Sequence, residues 1–375
     1  LTGYRGGERV LRHLCERFPS ADLYTLFHEP GSVPTEIEDR RIFVSPLNQV
    51  PWRKRHYRKL LPLFPWAIRR FDFGAYDLVL STSHAVAKSV RTPQGVAHVD
   101  YCFTPMRYVW DQVEAYLGTG LRRRLAQPLV RALRQFDVRT SRKQDVTRFV
   151  AISSDVADRI ARHYGRESRV VPPPVELSWI EVAQQPPEDF YLLVGSFVPY
   201  KREELAIDAF RNLDRTLVIV GEGPSRARLA RNLPGNIKMV GHVDDATLAS
   251  LYRRCRALIY PQHEDFGLVA VEAQAAGRPV IAYRAGGVLD TVRPFKEQDI
   301  EAACYEATGV FFDEQTPKSL CRAVERFEKI QERFLPITLR RWAERFSPQA
   351  FDTAMDLEIT AALGDCEPLR GEKLQ

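Results

Sequence analysis

The residues best suited to chemistry lie in one stretch, His263-Glu264-Asp265-Phe266-Gly267-Leu268, which runs on through Glu272 to Gly277. Glu264 falls in a loop behind an apolar strand segment, 257–260, that Pro261 ends. Glu272 falls about one turn into the helix that this loop opens. Free backbone N–H groups at such a helix start, near 266–269, form a positive pocket suited to a phosphate. Helical side chains lean toward the N-terminus, so Glu272 points back at whatever occupies the pocket. Two acids beside an anion repel it unless they bind hydroxyls instead. The chemistry implied is recognition of a phosphate with sugars on both sides, that is, a nucleotide-sugar. Acids are favoured at any helix N-terminus. This pair is set apart by its context, because strand, glycine-containing turn and small-residue helix follow in the order an α/β ligand crevice requires.

Positioning such a pair takes a parallel sheet, and the chain supplies material for two. In the first half, segments 22–26, 77–82 and 97–103 read as short apolar strands separated by helical stretches, the pattern of a parallel sheet covered on both faces, and 148–154 reads as a further strand running into a Ser/Asp helix start. Gly6-Gly7-Glu8 leads into a helix whose apolar residues Val10, Leu11, Leu14 and Cys15 share a face, and glycines there let a ligand approach its N-terminus. A proline run at 172–174 and the pair Pro186-Pro187 read as a stiff linker, ending a first domain at 1–185. A second series follows in 186–345. Its strands are expected at 191–194, 217–220, 237–240, 257–260, 280–283 and 310–312, with helices at 203–212, 225–232, 246–253, 268–276, 288–292 and 317–332. Residues 346–375 hold a further helix, 348–363, and a frayed tail.

The chain has 375 residues, enough for two domains. Its net charge is +6, compatible with an anionic ligand or membrane surface and too small to argue for nucleic acid. Six cysteines are scattered without metal-like spacing, so reduced thiols are expected. No apolar run approaches the length of a membrane span and no signal peptide is read, so a cytoplasmic protein is expected. Residues 52–71 carry seven Lys or Arg and no acid, interleaved with Trp52, Tyr57, Phe64 and Trp66. That stretch fits a membrane interface rich in anionic lipid, and it fits equally a solvated basic surface with aromatics in the core. A second basic run extends from Arg122 to Lys143.

The motifs together resemble a known family. Glu264-x7-Glu272, Gly195-x-x-Val198-Pro199-Tyr200-Lys201, Gly221-Glu222-Gly223-Pro224, Gly286-Gly287 and Gly6-Gly7-Glu8 are similar, in order along the whole chain, to the family 4 retaining glycosyltransferases. The likeness is greatest to bacterial mannosyltransferases of O-antigen or exopolysaccharide assembly. It implies a GT-B fold: two Rossmann-like doubly wound domains facing across a cleft, acceptor on the first and donor on the second, with a C-terminal helix crossing back. Carried over by position, Glu264 contacts the donor sugar, Glu272 the ribose, and Lys201 the diphosphate. Amides of Phe266, Gly267 and Leu268 hold phosphate and sugar, Gly6 and Gly7 admit the diphosphate, Gly195 is donor-binding, and the turns Gly221-Glu222-Gly223-Pro224 and Gly286-Gly287 shape the nucleotide pocket. No cofactor or metal is implied, because lysine, arginine and helix dipoles supply the positive charge.

The resemblance departs at three places. Members carry an arginine where this chain has Ser196, and Arg202 or Arg5 is the expected substitute. Members carry a histidine at the position of Phe103; His84 is the expected replacement, and Arg107 a candidate for an acceptor phosphate. Members also open with a strand ahead of the residues matching Leu1-Thr2-Gly3, so either a shortened sequence or an N-terminal sheet lacking its first strand is expected. The reading that follows is transfer of a hexose, mannose from GDP-mannose, to a lipid-linked or polysaccharide acceptor at the inner face of the cytoplasmic membrane, with no nucleic-acid partner. A sugar-nucleotide epimerase shares the architecture, and a degenerate protein that binds nucleotide-sugar or glycan without turnover shares the motifs.

Overall fold

The computed structural model describes residues 1–51, 57–111, 113, 121–295 and 306–371, with side chains for all of these except 58, 121–123 and 367–371. Trp52, Cys304 and the side chains of Arg122 and Arg123 lie outside the described residues. The chain divides into two compact units, Leu1–Pro174 with Phe351–Gln375, and Val175–Ala350.

In the first unit, helix α1 (Gly6–Arg17) precedes strands β1 (Leu23–Thr25) and β2 (Ile42–Val44), which pair in parallel. Strands β3 (Leu78–Ser83), β4 (Ala97–Cys102), β5 (Arg148–Ala151) and β6 (Ser168–Val170), with helices α2 (Leu121–Arg139) and α3 (Ser154–Tyr164) between them, form a second parallel sheet in the order β3-β4-β5-β6. Among the described residues no strand joins the two sheets. All six residues of β4 are buried, His98 and Asp100 included. Their polar atoms are satisfied internally, as burial demands. Ser81 Oγ lies 2.6 Å from Asp100 Oδ1 and 2.8 Å from His98 Nε2, and Ser83 donates to Asp100 Oδ2 at 2.7 Å. His98 Nδ1 contacts the Asp145 carbonyl at 2.7 Å; a carbonyl only accepts, so this nitrogen carries the hydrogen. Beside them Lys88 Nζ sits 3.0 Å from Asp137 Oδ1, in ion-pair contact but off the line of a hydrogen bond. It donates to the Asp137 carbonyl at 2.8 Å, while Trp110 and Tyr164 donate to Oδ2 at 2.8 and 2.9 Å.

The second unit has a six-stranded parallel sheet. Strands β7 (Tyr191–Val194), β8 (Leu217–Val220), β9 (Ile237–Gly241), β10 (Leu258–Tyr260), β11 (Val280–Tyr283) and β12 (Gly309–Phe312) alternate with helices. The labelled helices are α4 (Glu203–Arg211), α5 (Asp245–Arg254), α6 (Leu268–Ala275) and α7 (Pro317–Ile330). The strand order is β12-β11-β10-β7-β8-β9: the chain winds one way from β7, then returns to place β10 on the other side of it. This is a doubly wound sheet, with its switch point between β7 and β10. Tyr191, Leu193, Ile219, Ile259 and Ile281 of the sheet pack with Phe210 of α4 and Phe327 of α7 in its core.

Two boundaries differ from the sequence reading. The segment 175–185 belongs to the second unit, because its backbone is bonded there: Val175 N donates to Phe346 O at 2.8 Å and Ala183 N to Ala276 O at 3.0 Å. Arg340 and Arg278 donate to the carbonyls of Ile180 and Gln185. The division thus falls at the proline run, and what reads as a stiff linker is a packed strap. After α8 (Pro336–Ala343), helix α9 (Pro348–Gly371) crosses back, and from Phe351 onward it belongs to the first unit. His13 lies 2.8 Å and Arg17 3.0 Å from Asp352, Arg148 pairs with Asp365 at 3.0 Å, and Tyr101 meets Phe351 edge-on.

The five described cysteines are free. No helix among the described residues is long and apolar enough to cross a membrane. The first basic stretch divides by side chain: Leu60 and Phe64 are buried, whereas Leu63 and Trp66 are exposed, the latter with Arg70 over its ring. On α2, Leu125 and Leu129 are exposed one turn apart.

Candidate active site

The second unit concentrates the expected donor residues at the switch point. The loop leaving β7 carries Gly195, Ser196, Lys201 and Arg202; the loop leaving β10 carries Glu264, Phe266 and Gly267. Lys201 Nζ pairs with Glu264 Oε1. The other oxygen, Oε2, accepts from Tyr260 OH at 2.9 Å and faces Gln262 Nε2 at 3.4 Å. Burial, and then the neighbouring Glu264, push the Tyr260 hydroxyl well above the usual range for tyrosine, so it stays a donor. The carboxylate is therefore held from two sides and presented at the end of the sheet.

Glycines let these loops approach one another. A Cβ on Gly221, at φ +140°, would lie 1.7 Å from the Gly195 carbonyl oxygen, and one on Gly267, at φ +99°, 2.8 Å from Tyr260 OH. Gly286 forms a parallel bridge with Glu264, and Gly287 N donates to Glu264 O at 2.8 Å. The Gly286-Gly287 turn is thus a brace under the Glu264 loop.

Helix α6 is capped by Gly267 in the left-handed conformation and is buried from Ala270 to Ala275. Glu272 is only 5% exposed, and Tyr252 of α5 donates to its Oε2 at 2.8 Å. Phe266 is buried against Phe346, leaving its backbone rather than its ring to serve a ligand. Lys201 ends a short 3₁₀ turn, Pro199–Lys201, and Arg202 follows at φ +58° as the N-cap of α4. Glu203 next to it is buried.

The first unit gathers its own candidates. Gly6 and Gly7 open α1, where Arg5 N donates to Glu8 Oε2 at 3.0 Å as a capping box. A Cβ on Gly7 would touch the Phe103 ring at 3.5 Å, so the glycine packs on the residue that stands where a histidine was expected. His84 follows β3 and is exposed, with Glu8 and Arg107 as nearby charges. Gly7, Glu8, His84, Phe103 and Arg107 thus collect where α1 begins and β3 and β4 end.

Sequence reasoning missed Tyr252, Tyr260 and Gln262, which orient the two acids. Tyr260 and Gln262 stand four and two positions before Glu264, and that adjacency was an available signal. Tyr252 sits on another helix, and nothing in the sequence marks its hydroxyl.

Comparison with known proteins agrees with this geometry. A family model described as Glycosyltransferase Family 4 matches residues 4–179, and one described as Glycosyl transferases group 1 matches residues 179–345. Among curated relatives, the O-antigen chain mannosyltransferase C of Escherichia coli is 28% identical over 167 residues, 43% of each chain. The GDP-mannose-dependent alpha-mannosyltransferase of Mycolicibacterium smegmatis is 42% identical over 103 residues, 27% of each chain. The chain spans 31–43% of the length of the curated relatives it first matches. Among solved structures, HepE from Anabaena in complex with UDP superposes with a TM-score of 0.67 at 15% identity, over 95% of this chain and 96% of that one.

Proposed function

We propose that this chain, which belongs to the family 4 glycosyltransferases of GT-B fold, moves a hexose with retention from a nucleotide-diphosphate sugar to a glycan or lipid-linked acceptor. The observation that carries this reading is the Lys201–Glu264 pair at the switch point, held by Tyr260. In the resting site Lys201 is neutralised by Glu264. A donor diphosphate offers the lysine a stronger anion, and Glu264 then turns its free acceptor capacity to the hydroxyls of the donor sugar. Lys201, Arg202 and the amides at 266–268 stabilise the charge that grows on the departing nucleotide. Glu272, fixed by Tyr252, accepts from the ribose hydroxyls. In the first unit, His84 and Arg107 are assigned to the acceptor. None of these roles calls on a metal.

Mannose from GDP-mannose is the donor we favour, supported by the names of the two relatives above; the UDP bound to HepE makes UDP-sugars the competing class. Peripheral attachment to an anionic leaflet is the location we favour, supported by exposed Leu63, Trp66, Leu125 and Leu129 and by Arg70 over the Trp66 ring. Family membership favours transfer over epimerisation.

The test is a thermal-shift screen of GDP-mannose, UDP-glucose, GDP and UDP, followed by nucleotide release with acceptor. Glu272→Ala is expected to weaken nucleotide binding, and Lys201→Ala mainly to slow release. Unchanged nucleotide affinity in Glu272→Ala overturns the donor assignment, and binding without release selects the non-catalytic reading.

A further inference from the structure

Glu203 is the one acid of α4 that faces inward. It is 3% exposed and shares a face with Ala206, Ile207 and Phe210, all buried. Its Oε1 has no hydrogen-bond partner among the described residues. The helix start that carries it is strained, because Arg202, between Lys201 and Glu203, holds φ at +58°, a region costly for a side chain with a Cβ. A buried carboxyl with an open oxygen is costly, and one two positions from the lysine of the site calls for an explanation.

The charges acting on it come from both loops of the site, Lys201 from its own turn and Glu264 from the loop after β10. The other titratable groups of the surrounding elements are already engaged or are uncharged. Glu204 is bridged to Arg228, Tyr260 donates to Glu264, Cys321 of α7 donates to the Ala209 carbonyl, and Arg202, though charged, is solvent-exposed. With Glu203 ionised, the trio Lys201, Glu264 and Glu203 carries a net negative charge. With Glu203 protonated it is neutral, and an incoming diphosphate meets no excess of carboxylate.

We propose that Glu203 is a positioning residue for Lys201 that takes up a proton when the donor's diphosphate binds, so that donor affinity and the protonation of Glu203 are linked. The inference rests on the donor-site reading above. Burial is the main cause that pushes this carboxyl up to about 7, opposed by backbone N–H groups of Glu203 and Val198 and by Lys201, with Glu264 adding to the rise. The group therefore titrates where the linkage can be measured. An anion bound to Lys201 raises it further, and by reciprocity a proton on Glu203 strengthens binding of the anion.

The experiment is calorimetric titration of GDP and of UDP into the full chain and into Glu203→Gln, at pH 6 to 8.5, in buffers of different ionisation enthalpy. The expected result is that the native chain takes up about half a proton more per nucleotide than Glu203→Gln near pH 7.5. Its affinity should fall several-fold from pH 6.5 to 8.5, while that of Glu203→Gln falls less and exceeds it at pH 8.5. Equal proton uptake and equal pH slopes in the two proteins overturn the inference and leave the donor site standing. Failure of both nucleotides to bind the native chain takes down both. The variant is expected to fold: a carboxyl raised above its ordinary 4.5 contributes stability below that value and loses it as pH rises through about 7, so a neutral amide is no worse above pH 7. Glu203→Met, which also removes the titration, replaces it where the glutamine variant melts early.

Discussion

The Gly287→Ala substitution isolates the brace beneath the Glu264 loop. Gly287 has φ −63° and ψ −13°, a conformation alanine adopts freely, so backbone strain plays no part. The new methyl would stand 2.3 Å from the Asp265 carbonyl oxygen and 2.4 Å from Phe266 Cα, where real Cβ contacts stay beyond 3.0 Å. Both neighbours are backbone and cannot rotate away. The loop must therefore retreat by at least about 0.7 Å, and it carries Glu264 with it. A displacement near 1 Å at a reacting centre costs about 100-fold in rate, and overpacking of this kind costs roughly 1–3 kcal/mol of stability. Initial-rate kinetics with a donor found in the thermal-shift screen would measure the first effect and urea unfolding the second. Gly364→Ala is the control, because nothing lies within 4 Å of its Cβ position; in the helix α9 it should be neutral or slightly stabilising. Full turnover in Gly287→Ala, with an unfolding midpoint equal to that of the native chain, would refute the claim that this turn sets the position of Glu264.

Three further outcomes follow from the buried polar contacts. Tyr252→Phe removes a donor to a buried carboxylate and should weaken nucleotide binding by up to about tenfold, roughly 1.4 kcal/mol, with kcat nearly unchanged; equal affinity by calorimetry would show that Glu272 needs no such support. Lys88→Met strands the fully buried Asp137 and should cost about 3–5 kcal/mol in urea unfolding, part of it regained in Lys88→Met with Asp137→Asn; a single variant within 1 kcal/mol of native would contradict the pairing. Burial pushes Asp100 up to about 6 and His98 down to about 4. The Asp100 contribution to stability is then present below its ordinary 3.8 and lost as pH rises through about 6, while that of His98 is present above 6.5 and lost as pH falls through about 4. Between these values the two slopes oppose each other. Asp100→Asn should uncover the histidine, so that stability drops by roughly 2 kcal/mol more than in the native chain from pH 6.5 to 4.5; parallel pH curves of the urea midpoint would rule this out.

The strands of the second unit were legible because a parallel strand buried on both faces is an unbroken apolar run, and Leu217–Val220 is all buried. β2 and β6 escaped for the converse reason. Each has three residues, with partly exposed patterns, and Ser168-Arg169-Val170 offers no run to find. The strap 175–185 was misjudged because prolines report stiffness and say nothing of what the carbonyls between them meet; here arginines from distant segments bind them. The same limit governs the site. Glu264 and Glu272 could be located from spacing and Lys201 from the family motif, since each belongs to a loop or helix start at the end of a strand. Their orienting partner Tyr252 could not, because its hydroxyl reaches Glu272 across a helix pair. Gly286-Gly287 read only as shaping the nucleotide pocket, whereas the contact that forbids a Cβ is with a loop some twenty residues earlier.

Glu203 differs from all of these, because the sequence did contain its signal. Positions 203, 206, 207 and 210 fall on one helical stripe, three of them apolar and the first an acid. An acid in a core stripe breaks the local pattern, and such breaks gather where stability is given up for function. Lys201, two positions earlier and proposed above to bind the donor diphosphate, supplies the function to look for, because a buried carboxyl beside such a lysine can oppose a phosphate when charged and admit it when neutral. The interruption of amphipathicity and the lysine motif were therefore one feature, legible once the helix face and the lysine were considered together.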